Sequence, residues 1–236
     1  MIRAFKIELQ AQMNTWILPA IILVLVLFSS ISIFTGVYPN QEIFIASICG
    51  DTMVLLMAGV IYVGISTISD YSNGFIKHYL VSGVKRVDII IGKYLSFILG
   101  CILILFLYPI LSYLLSYFSF GGDRFFSYLL QLLSNIFMSA PFYIMMYTLF
   151  FALAILIRKE AIVVGVNIAL SVALAIFPQR FLADLEILKY TPTIQIQMLC
   201  QNLDFDTTYL VLLLLGTLFC IFILYIVIQL FKRIEF

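Results

Sequence analysis

Charge is what this sequence has least of. Only 11% of its 236 residues are Asp, Glu, Lys or Arg, while 64% are hydrophobic. A water-soluble chain of this length needs far more polar surface, so long apolar stretches point to membrane spans rather than a soluble core. The net charge of +1 gives no reason to expect nucleic acid as a partner. Histidine occurs once, at His78. That excludes an H-E-x-x-H metal site, no Ser–His dyad within the membrane is available, and no paired-glutamate motif stands in for one, so no catalytic residue is expected. The four cysteines, Cys49, Cys101, Cys200 and Cys220, have no C-x-x-C spacing and no His cluster. They read as small apolar packing residues rather than as a zinc or redox site, although Cys49 and Cys200 fall near the same outer face.

A nucleotide-binding loop is also missing. The nearest match to G-x-x-x-x-G-K-[ST] is Gly92-Lys93-Tyr94, with Val87 where the first glycine belongs and no hydroxyl after the lysine. No cradle of backbone amides and Lys is formed for a phosphate, so no cofactor is expected in this chain. A cleavable signal peptide is not expected either, because MIRAFKIELQAQMNTW runs directly into an apolar segment with no small-residue cleavage site.

What is abundant is apolar length. Crossing a bilayer takes about 20 apolar residues in a helix. Six segments qualify, roughly 15–36, 44–68, 94–118, 128–157, 161–178 and 207–231. The fourth is long, contains Pro141, and has room for an interfacial helix at its start. Pro19 and Pro109 also fall inside or near the ends of spans, where neighbouring helices re-satisfy freed carbonyls. The fold class expected is an all-α membrane protein forming a single transmembrane domain over residues 1–236.

Orientation follows from the Lys and Arg residues of the loops. Ten of the thirteen lie on one side: in the N-terminal segment, the 69–93 insert, the Arg158-Lys159 turn and the tail. That side is read as cytoplasmic, with both termini inside. Before the first span, Ile2, Phe5, Leu9 and Met13 recur at steps of three and four, beside Arg3, Lys6 and Gln10. Residues 1–14 are thus expected to form an amphipathic interfacial helix, with Trp16 as an aromatic anchor.

The most informative stretch is the insert SDYSNGFIKHYLVSGVKRVDIIIGK, residues 69–93. Turning a chain between adjacent helices needs about two to eight residues, so a longer insert is expected to carry structure and meet a partner. Asn73 is placed to cap a short helix that Gly83 ends. Phe75, Ile76, Tyr79 and Leu80 share one face, flanked by Lys77 and His78. A short helix with an exposed aromatic edge suits docking into a groove on another protein.

Asp70-x-x-x-Gly74, Lys77, Leu80, Gly83, Arg86 and Gly92-Lys93 together resemble the first cytoplasmic loop of ABC-2 type permeases, the membrane subunits of a class of ATP-driven exporters. The sequence has Asp70 where that family usually has Glu, Phe75 where Thr is usual, and Gly83 where Pro is common. The loop lengths along the chain are similar to the family's as well. The resemblance implies a coupling role. Phe75, Ile76, Lys77, Tyr79, Leu80 and Arg86 would meet a separate cytosolic ATPase, which would bind ATP and Mg. Asp70 would be the acidic residue at the membrane boundary, paired with Arg86 or Lys93. It also implies a dimer, with a second copy or a sister permease, in a bacterial plasma membrane, exporting a hydrophobic or amphipathic cargo such as a peptide, antibiotic or lipid.

Asp51 is the one charge within a span, about 10 Å from its outer end at roughly 1.5 Å per residue. Two readings stand: it lines an exit pathway, or the span begins at Thr52 and Asp51 is interfacial. Ser66, Thr67, Ser112, Ser139, Thr148, Asn167 and Ser171 are expected to bridge helices rather than bind cargo. The 179–206 loop is read as extracellular, with short amphipathic helices at the outer surface and a break at Pro192. The rival function classes are a non-transporting immunity or scaffold protein and an ion-coupled carrier; a single intramembrane Asp argues against the carrier.

Overall fold

A computed structural model describes residues 2–13, 16–38, 40–68, 84–120, 125–157, 159–181, 191–201 and 207–232. Among them there is no strand. The helices, in chain order, are α1 (Ile2–Met13), α2 (Ile17–Phe34), α3 (Gln41–Gly50), α4 (Thr52–Val63), α5 (Arg86–Phe120), α6 (Phe125–Ile157), α7 (Glu160–Phe181), α8 (Pro192–Gln201) and α9 (Thr207–Lys232). A π-helical turn, Gly64–Ile68, extends α4 toward the insert.

Among the described residues, four helices are long and apolar enough to cross a membrane: α2, α5, α6 and α9. The pair α3 and α4 passes the same test when taken together, but the two are bent by 42°. The described residues thus supply four helices, or five with the bent pair, that could span a membrane. The expected span at 161–178 falls within α7, whose apolar part, Ala161–Ile176, is shorter than the others.

Three boundaries correct the sequence reading. The third expected span, 94–118, begins eight residues earlier, because α5 starts at Arg86. The last third of the insert is thus helical. Val87, Ile89, Ile90 and Ile91 supply apolar faces, and Asp88 lies in the first turn, where the helix dipole favours a negative charge. The fourth span is one continuous helix from Phe125, with no separate interfacial segment. The second expected span, 44–68, is broken at Asp51, whose backbone (φ −76°, ψ 72°) leaves helical geometry.

α8 is the fourth correction. Pro192 marks a boundary as expected, opening a helix at the position where its missing N–H costs nothing. The helix, however, does not lie free on the surface. Thr193, Ile196, Leu199 and Cys200 are buried, and the helix packs against α3 and α6.

α5 and α6 form the centre of the bundle. α1 and α2 pack on α5, while α9, α8, α3 and α4 pack on α6. Between them runs an aromatic column. Tyr62 stacks on Phe97 at 5.8 Å and Phe97 on Phe151 at 5.7 Å, while Tyr94 meets Phe151 edge-on at 5.4 Å. Ring pairs at such separations each add about 0.5–1.5 kcal/mol beyond their buried area. These rings fill the core of the single chain. Two glycines admit this column: a Cβ on Gly59 would collide with the Tyr147 ring, and one on Gly100 with the Tyr62 ring. α2 and α9 lie outermost, with Leu23, Val24, Leu214, Leu218, Ile221 and Phe222 all more than half exposed.

Candidate functional site

Two polar constellations interrupt this apolar body. The first lies where the insert joins the bundle. The insert's predicted docking residues, Phe75, Ile76, Lys77, Tyr79 and Leu80, and the acidic Asp70, lie outside the described residues. What flanks them is described.

At the downstream flank, Arg86 opens α5, and its guanidinium donates to the carbonyl of Lys232 at 3.0 Å. That carbonyl ends α9, so a cation is set against the negative end of a helix dipole. Two turns further along, the Lys93 ammonium lies 3.0 Å from a carboxylate oxygen of Glu8. Both side chains are almost completely buried, at 2% and 5% exposed. An isolated buried charge would be strongly disfavoured; each ion here is tolerable because the other is present.

Glu8 is the functional candidate that the sequence reading missed. Phe5, Glu8, Leu9 and Gln12 follow the same i, i+3, i+4, i+7 spacing, so Glu8 and Gln12 fall on the apolar face of α1 rather than on its polar stripe. That signal was readable, since an acidic residue on the apolar side of a basic amphipathic helix asks for a buried cation. Phe5 and Leu9 are half-buried and Lys6 and Gln10 are exposed, as expected. Gln12 adds a second tie, accepting the Tyr62 hydroxyl at 2.8 Å. α1 is accordingly pinned to both α4 and α5, and is not merely laid against an interface.

At the upstream flank the π-helical turn Gly64–Ile68 ends the broken span. Such turns are rare and concentrate at functional sites. Thr67 within it is buried, and Gly64 lies so close to Val164 of α7 that an added Cβ would come within 2.7 Å. Both flanks of the insert are therefore seated in the packed body.

The second constellation surrounds the break at Asp51. Its carboxylate accepts from the Val54 amide at 3.5 Å, a helix-capping contact at the start of α4. Of the two readings of Asp51, this favours the one in which a helix begins at Thr52, although α3 precedes it and is itself buried along one side. A break inside apolar surroundings frees carbonyls that must be satisfied by protein. Tyr143 of α6 donates to the Cys49 carbonyl at 2.9 Å, and Tyr147 donates to the Leu55 carbonyl at 2.9 Å. Asn135 of α6 reaches the Cys200 carbonyl at 3.5 Å.

Of the seven hydroxyls and amides expected to bridge helices, Ser112, Thr148 and Asn167 do so. Ser112 bonds Ser29 at 2.7 Å, Thr148 bonds Tyr94 at 2.9 Å, and Asn167 donates to the Phe150 carbonyl at 3.3 Å; each joins two helices. Ser139 and Ser171 instead bond their own helices. Among the described residues no cluster of His, Cys, Asp and Glu has the makings of a metal site. A groove of about 350 Å³ between α5, α6 and α9 is lined almost wholly by apolar groups, including Pro141, Met145, Leu213 and Ile221. No protein-family model matches the chain, and no curated protein sequence matches it.

Proposed function

We propose that this chain is the membrane subunit of an ATP-driven exporter, coupled through residues 69–85 to a separate cytosolic ATPase. The observation that carries the reading is the buried Glu8–Lys93 pair. It fixes α1 to the head of α5 close to where the insert re-enters the bundle. Together with the Arg86 tie to the end of α9, it lets a displacement of the insert move three helices as one body.

The rest of the proposal follows from the resemblance of the insert and its flanks to the ABC-2 type permeases. The insert helix, through Phe75, Ile76, Tyr79 and Leu80, fills a groove on the ATPase, with Lys77 at its rim. Arg86 acts one step inward, as a strut. The chain binds no nucleotide; ATP and Mg belong to the partner. The exporter works as a dimer, with both termini cytoplasmic, in a bacterial plasma membrane. The groove between α5, α6 and α9 has the apolar lining that a hydrophobic or amphipathic cargo requires.

The test replaces Phe75→Ala and Tyr79→Ala together, in the full chain in its membrane. The expected result is normal membrane insertion with loss of the co-purifying ATPase and of ATP-dependent export. Unchanged ATPase association would overturn the assignment of that helix.

A further inference from the structure

A cleft of about 420 Å³ opens between α3, α6 and α8, lined by Glu42, Ile43, Ala46, Gln131 and Cys200. It lies at the end of the bundle away from the insert, since α4 runs from the break toward the insert and α5 runs back from the insert to the start of α6. Its polar groups are acceptors of hydrogen bonds. Glu42 stands in the first turn of α3, where the helix dipole favours a carboxylate, and it is exposed. Its Oε1 accepts the Tyr128 hydroxyl at 3.0 Å, and Oε2 has no partner among the described residues. Cys200 lies in the last turn of α8, where a carbonyl has no partner further along the helix.

Behind this wall is an unmet polar atom. Asn135 stands one turn past Gln131 on the same face of α6. Its Nδ2 donates to the Cys200 carbonyl at 3.5 Å. The side chain is fully buried, and its Oδ1 has no hydrogen-bond partner. A buried acceptor left in that state is costly. A carboxylate, a side-chain amide and a helix-end carbonyl therefore gather at one cleft with a further acceptor beneath, while among the described residues no Lys or Arg lines it. Such a site calls for a cation that donates hydrogen bonds. Calcium would need six to eight oxygen ligands, and no group of acidic side chains supplies them among the described residues. A guanidinium binds best through both oxygens of a carboxylate, one of which Tyr128 already holds. A primary ammonium, with three donors and no acceptor, matches the set, and Ile43 and Ala46 offer apolar contact to its alkyl stem.

We propose that the cleft between α3, α6 and α8 binds a primary alkylammonium group, with the Glu42 carboxylate as its counter-ion. Gln131 and the Cys200 carbonyl take its remaining N–H donors, and Asn135 holds that carbonyl in place. The ligand joins α3 to α8 on the far side of the break at Asp51. The proposal does not depend on the exporter reading.

The experiment uses the full chain in phosphatidylcholine nanodiscs and a hexylamine that carries a photoactivatable diazirine. The N-trimethyl form of the same probe keeps the charge and has no N–H. Labelled peptides are mapped by mass. The expected result is saturable labelling of α3, α6 or α8 around the cleft, competed by butylamine and about tenfold weaker with the trimethyl probe. Glu42→Gln keeps an acceptor for Tyr128 and removes the charge, and Gln131→Leu removes an amide from a half-buried position. Each is expected to weaken labelling, Glu42→Gln by about tenfold, with the melting temperature unchanged. A phosphatidylethanolamine bilayer, whose headgroup is itself a primary ammonium, separates two sources of the ligand. Suppressed labelling there assigns the site to the lipid headgroup, and equal labelling in both bilayers assigns it to a soluble amine; either upholds the ammonium site. No saturable labelling at the cleft, equal labelling by both probes, or labelling indifferent to Glu42→Gln overturns it.

Discussion

Glu8 and Lys93 carry the heaviest electrostatic consequence of any two side chains described here. Removing one member of a buried ion pair leaves the other uncompensated, at a cost of about 3–5 kcal/mol, whereas replacing both with apolar groups of similar size is often neutral. Glu8→Gln alone and Lys93→Met alone are therefore expected to lower the melting temperature in detergent sharply. Glu8→Leu with Lys93→Met together should recover most of the loss. Strictly additive losses in the double variant would show that the 3.0 Å contact does not bind α1 to α5. The stability test is separate from the coupling test. If the pair also couples the insert to α1 and α5 as proposed above, the recovered double variant should stay folded yet respond less to the ATPase. Tyr143 makes a smaller, cleaner case. Tyr143→Phe leaves the Cys49 carbonyl without its donor, at about 1–3 kcal/mol for a buried group.

At the scale of elements, the broken span is the feature to perturb. An N-cap carboxylate replaced by Ala costs about 1 kcal/mol, while Asn keeps the cap. Asp51→Ala is expected to speed amide exchange in the first turn of α4, and Asp51→Asn to leave it nearly unchanged. Equal effects would mean that charge rather than capping matters at this position. Gly59→Ala and Gly100→Ala should each cost about 1–3 kcal/mol, because Tyr147 and Tyr62 must shift out of a filled column. Pairing Gly100→Ala with Tyr62→Leu should relieve part of that cost, read as recovery of the melting temperature; no relief would place the strain elsewhere. These elements also divide what could be read from the sequence from what could not. The long apolar runs of α2, α5, α6 and α9 gave themselves away by length alone, since only a helix satisfies its backbone across about 30 Å of hydrocarbon. The break at Asp51 was legible only as one of two readings, because Gly50, Asp51 and Thr52 interrupt the apolar run but only tertiary partners such as Tyr143 satisfy a break inside it. α8 was misread for a related reason: Thr193 and Gln195 look like surface residues until α3 and α6 close over them. The start of α5 was missed because Lys85, Arg86, Asp88 and Lys93 look like loop, although Lys93 is buried against Glu8.

For the whole molecule, the account rests on one asymmetry. A body with few charges places its buried ion pair, its helix-end guanidinium tie and its π-helical turn at the two flanks of a single polar insert. The residues that would engage a partner, Phe75, Ile76, Tyr79 and Leu80, were proposed from helical spacing and from the resemblance of the surrounding loop, and they remain the part of the site that rests on sequence alone. The exposed faces of α2 and α9 are broad enough for lipid or for a second copy of this chain, and cross-linking across those faces in membranes would decide between them. The most direct measurement of the central claim is to isolate the tagged chain from its native membrane in mild detergent and identify every protein that accompanies it, with and without ATP trapped by vanadate. The account predicts a soluble protein with a phosphate-binding P-loop, in stoichiometric amount, released when Phe75 and Tyr79 are both replaced by Ala. A chain that emerges without such a partner under both conditions would contradict it.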